Sequence, residues 1–76
     1  MIKEHDRVIL TESISDHGLE PGDIGVVVYV HGEGKAYEVE FVTLDGKTAS
    51  VLELESRQVR PLGTREIPHA RSLCAA

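Results

Sequence analysis

The chain has 76 residues, 41% of them hydrophobic, and a net charge of −5 at pH 7. That length allows one domain with a thin core, and a single cysteine, Cys74, excludes an intramolecular disulfide. No stretch reaches the roughly 20 apolar residues of a membrane helix, and MIKEHDRVIL at the start lacks the apolar centre of a signal peptide, so a cytoplasmic protein without a membrane partner is expected.

Asp6 to Thr11 (DRVILT) is short and β-branched, and predicts the first strand, with Val8 and Leu10 on one face and Ile9 on the other. A long polar loop follows. Its Pro21-Gly22 pair suits a type II turn, because proline presets φ at the first central position and glycine accepts the positive φ at the second. Ile14 and Leu19 are expected to tether this loop over one end of the core. Ile24 to His31 (IGVVVYVH) predicts a second strand that is apolar on both faces. One face would hold Ile24, Val26, Val28 and Val30, the other Gly25, Val27, Tyr29 and His31; Gly25 suggests a bend or a close backbone approach.

Gly32-Glu33-Gly34-Lys35 predicts a tight hairpin loop leading into Tyr37–Val42. Strict alternation there places Tyr37, Val39 and Phe41 inward and Glu38 and Glu40 outward. Asp45-Gly46 signals another hairpin. In the fourth strand, Thr48–Leu54, both Ala49/Val51 and Leu52/Leu54 are apolar, and a bulge would reconcile them. Residues 55–58 suit one turn of 3₁₀ helix. Val59–Leu62 is a short last strand, kept at an edge or strand end by Pro61.

Five short strands, a long first loop, tight later hairpins and a 3₁₀ turn before the last strand predict an all-β, SH3-like five-stranded barrel over residues 1–62. Residues 63–76 lack periodicity and are expected to form a flexible C-terminal tail.

The segments DRVILTE, GLEPGDIGVVVYVHGEGKAYEVEFVTLDGKT and LELESRQVRPL resemble the DUF4926 family, short bacterial proteins of unknown function common in cyanobacteria. The combination of Gly22-Asp23-x-Gly25, Tyr37-Glu38-Val39-Glu40-Phe41 and Val59-Arg60-Pro61 carries the resemblance, which spans residues 1–62. It implies a barrel fold without an assigned activity, and an antitoxin-like or regulatory pairing with the product of a neighbouring gene. The piece GDIGVVVYV…YEVEF is also similar to KOW-type modules and to small barrels attached to photosynthetic complexes. These similarities imply two alternatives, a nucleic-acid or ribosome-associated module and an accessory subunit of a larger complex.

Charge is split along the chain. Residues 1–56 hold four Lys/Arg against twelve Asp/Glu, whereas residues 57–76 hold Arg57, Arg60, Arg65 and Arg71 against Glu66. The acidic body repels phosphate backbones, so nucleic acid is not the expected partner. His5, His17, His31 and His69 stand at no metal-ligand spacing, and no metal or other cofactor is expected. Ser13, Ser15, Asp16 and His17 share one loop, without the rigid elements a catalytic triad requires. Glu38 and Glu40 share one strand face, where carboxylates ordinarily keep a sheet solvated. The expectation is therefore a non-enzyme that binds a protein, with Tyr29 as anchor and Glu38, Glu40, Arg57 and Arg60 as candidate contacts. Exposed strand edges also leave a homo-oligomer compatible with the sequence.

Overall fold

The computed structural model describes residues 1–73. Cys74 and the end of the expected tail lie outside the described residues. Five strands form one antiparallel sheet: β1 (Arg7–Leu10), β2 (Ile24–His31), β3 (Ala36–Val42), β4 (Thr48–Glu55) and β5 (Val59–Pro61), in the order β4-β3-β2-β1-β5. The chain is all-β, with a 3₁₀ turn at Ser56–Gln58 before the last strand as expected. No hydrogen bonds join β4 to β5 among the described residues, so the sheet is bent but not closed. The three-residue β5, ending at Pro61, offers too little ladder to close the ring.

The core is one cluster of Val8, Leu10, Leu19, Val27, Tyr37, Val39, Phe41, Leu54 and Val59. Register decides which side chains enter it, because residues directly opposite each other in a sheet share a face. Val39 stands between Val27 and Leu52, and Tyr37 between Val30 and Leu54. This settles β4: Leu52 and Leu54 turn inward and Val51 outward without a bulge between them, and the ladder shifts instead at Ala49.

β2 departs from simple alternation. The register shifts between Val27 and Tyr29, leaving Val28 as the extra residue of a bulge. Gly25 and Val27 face inward before it; Val30 packs against the core after it. The expected face of Ile24, Val26, Val28 and Val30 is thus split, and Tyr29 lies on the same outer face as Val26. Tyr29 sits opposite Glu38, and Val26 opposite Glu40.

The long loop is held by the Ile14–Leu19 bridge, with Leu19 buried, as its two apolar residues suggested. A short 3₁₀ turn at Ser15–His17 inside it was not anticipated. Gly22 has φ +96°, the conformation a type II turn demands of that position. Residues 63–73 have no regular secondary structure, yet they are tied back to the barrel by Arg71 and Glu66.

Gly25 is needed for close approach. A Cβ there would come within 2.5 Å of Val39 Cγ1, 2.9 Å of Phe41 Cε1 and 3.0 Å of the Glu40 carbonyl oxygen. Gly25→Ala is expected to lower stability by about 1–3 kcal/mol through overpacking, whereas Val51→Thr on the exposed outer face changes it by less than about 0.5 kcal/mol. Urea unfolding of both variants checks this; equal stability would contradict the packing described.

Candidate functional site

The outer face of β2, β3 and β4 gathers the most distinctive side chains. The bulge at Val28 turns Tyr29 outward, where it is 51% exposed. Its ring meets that of His31 edge-on, with centroids 4.7 Å apart. His31 Nε2–H donates to Glu38 Oε2 at 2.7 Å; a carboxylate only accepts, so the ring proton sits on Nε2. The Thr48 hydroxyl donates to Glu40 Oε2 at 2.6 Å. Two cross-strand rows result, Tyr29–Glu38–Glu53 and Val26–Glu40–Val51. Val28, Tyr29 and Val51 are exposed, and Glu38, Glu40 and Glu53 lie on the same face.

The structure therefore brings Tyr29, Glu38 and Glu40 together. Arg57 and Arg60 lie elsewhere and are engaged within the chain. Arg57 donates to Glu55 through Nε and to Glu12 through Nη1, each at 2.8 Å. The hydrogen bond to Glu55, followed by the charges of Glu12 and Glu55, raises its pKa above the ordinary arginine value. Arg60 forks onto Glu66 through Nη1 and Nη2 at 2.9 and 2.8 Å, and these bonds raise its pKa. Glu66 also accepts the Gly63 N–H at 2.6 Å, and with Arg60 as the larger cause its pKa falls to about 2.

Sequence reading missed a third clamp. Arg71 donates to Asp23 through Nε at 2.9 Å and Nη2 at 2.6 Å, and Nη2 also reaches the Gly18 carbonyl at 2.8 Å. Burial pushes the Asp23 carboxyl up, but hydrogen bonds from Arg71 and the Glu20 backbone outweigh it and hold its pKa below the ordinary value. Forty-eight residues separate Arg71 from Asp23, and no local pattern links them. Glu53 was overlooked because β4 was ambiguous about its inner face; fixing Leu52 and Leu54 inward places it outside.

A cleft of about 500 Å³ lies between the tail, the loop after Leu19 and the β3–β4 hairpin. Leu19, Ile24, Phe41, Leu44 and Pro68 make it apolar, and its charged pair, Asp23 and Arg71, is mutually engaged. Ser15, Asp16 and His17 fall in a turn without a buried residue. Among the described residues, no group of three or more His, Cys, Asp or Glu is placed to hold a metal ion, and no helix is long and apolar enough to cross a membrane.

The two tail anchors have a definite pH dependence. Folding lowers the pKa values of Glu66 and Asp23, so each contributes above its unfolded value and loses its contribution as pH falls through the folded one. For Glu66 the window runs from about pH 4.5 down to about 2. Backbone relaxation is expected to show residues 64–70 loosening across that window, and at neutral pH in Arg71→Ala and Glu66→Gln. A tail equally ordered in both variants would contradict the anchoring.

Among known proteins, the family described as "Domain of unknown function (DUF4926)" matches residues 4–61. None of the curated proteins matches the chain, and no solved structure matches it.

Proposed function

The chain belongs to the DUF4926 family, and from that premise we propose that it works without catalysis, as a cytoplasmic module that docks a partner protein on the outer face of its sheet. One observation carries the reading: Tyr29 stands half-exposed next to the exposed Val28, with Glu38 directly opposite it and Glu40 and Glu53 on the same outer face. An amphipathic ring on an apolar patch is the composition of an interaction hot spot, and a rim of one sign selects a partner of the other. The partner surface it fits is therefore basic around an apolar recess. An antitoxin-like or regulatory pairing with a neighbouring gene product is the form of that reading we favour.

Arg57 and Arg60 enter this reading as clamps within the chain rather than as contacts, since both are already paired. The same pairing weakens the nucleic-acid alternative. Arg57, Arg60 and Arg71 spend their charge on carboxylates of the chain itself, which leaves little to displace counterions from phosphates. No mobility shift of RNA or DNA is expected at low ionic strength; a shift lost on Arg57→Ala with Arg60→Ala would restore that alternative.

Affinity capture from the native host tests the main reading. The wild-type chain is expected to retain a stoichiometric protein that Tyr29→Ala and Glu38→Lys lose while keeping their circular dichroism. Capture undiminished by both variants, or no partner tighter than about 10 μM, would overturn the reading.

A further inference from the structure

Among the described residues the sheet has two free edges, and they differ. β5 is three residues long and ends at Pro61, with Arg60 clamped to Glu66. β4 is eight residues long, and among the described residues no strand pairs with its outer side. The Ser56 N–H donates to the Lys35 carbonyl at 3.2 Å. In an antiparallel ladder such bonded pairs recur at every second residue. They therefore fall at Leu54 with Tyr37, Leu52 with Val39 and Ser50 with Phe41. The backbone groups of Val51, Glu53 and Glu55 point the other way, into the open edge. Such an edge is a template for another strand.

Charge selects which strand. The side chains of Val51, Glu53 and Glu55 are exposed on the outer face. Glu53 stands directly opposite Glu38, a like-charge pair that costs stability. His31 relieves Glu38, and Arg57 relieves Glu55. Glu53 has no hydrogen bond or ion pair among the described residues. A cation on an added strand, directly opposite Glu53, would extend the row Tyr29–Glu38–Glu53 with the charge it lacks.

A second copy of the chain fits this edge poorly. The shift at Ala49 leaves the edge regular only over residues 50–55. A two-fold antiparallel pairing inside that window sets Glu53 of one copy opposite or diagonal to a glutamate of the other, which repel. We propose that the β4 edge takes up an extended segment of a partner protein with Lys or Arg at the position lying opposite Glu53. This rests on the reading of the chain as a protein-interaction module and adds the mode of binding and the chemistry of the partner.

The test titrates the full chain with a synthetic peptide of about seven residues, an ordinary strand length, that alternates lysine and threonine. Amide resonances are the readout. Saturable shifts are expected to be largest at Val51, Glu53 and Glu55. Glu53→Lys, or glutamate in place of the peptide's lysines, should weaken binding by about tenfold or more. N-methylation of alternate peptide nitrogens should abolish it, because that removes donors and keeps charge. Equal binding of the methylated peptide would reduce the contact to charge alone and overturn the inference. Shifts centred on Tyr29 would move the contact to the sheet face, overturning the edge while leaving the interaction module standing. No binding at about 1 mM peptide, the weak limit of specific association, would also overturn it. So would a concentration-dependent dimer abolished by Val51→Pro, which removes an N–H that the β3 ladder does not use.

Discussion

The extra residue at Val28 is the constraint on which the rest of the molecule depends. β2 is apolar on both faces and crosses the centre of the sheet, so alternation alone does not say which side chains enter the core. Placing Val28 outside the two-residue repeat lets Val27 and Val30 both serve the interior. The same step turns Tyr29 outward beside Glu38. A bulge also bends a strand and increases its twist, which helps five short strands curl around nine buried side chains. Packing of the core and composition of the outer face are thus two consequences of one irregularity.

A thin core needs support at its ends, and this chain supplies it with charge. Leu19 caps one end beneath the long loop, and Arg71 fastens that loop to the tail through Asp23 and the Gly18 carbonyl. Arg57 joins the end of β4 to Glu12 of the long loop, and Arg60 holds Glu66. The positive charge of the arginine-rich end is thus largely paired within the chain. On the outer face Glu38 is met by His31 and Glu40 by Thr48, whereas Glu53 on β4 stands uncompensated among the described residues. The outer face is accordingly acidic, despite four arginines in the last part of the chain.

Much of the fold was legible because local rules agreed. Strict alternation in Tyr37–Val42 set the inner face of β3, Pro21-Gly22 and Asp45-Gly46 marked turns, and Pro61 marked a strand end. Where local rules were silent, register decided. Val26, Val27 and Val28 are chemically identical, so nothing in them singles out the bulged residue. Likewise Val51 and Leu52 both suit a core, and only pairing with Glu40 and Val39 separates them. Simple alternation sets Tyr29 on the face opposite Val26; it is exposed on the same face as Val26, because the bulge intervenes. Arg71 with Asp23 and Arg60 with Glu66 are contacts made by the path of the tail, which no spacing in the sequence encodes.

The register of β2 against β3 in solution tests the account most directly. Cross-strand proton contacts by NMR should pair Val27 with Val39, Tyr29 with Glu38 and Val30 with Tyr37, with the Val28 amide outside the ladder. A regular ladder that pairs Val28 with Glu38 and Tyr29 with Tyr37 would bury Tyr29 and remove the outer patch, contradicting both the fold described and the role drawn from it.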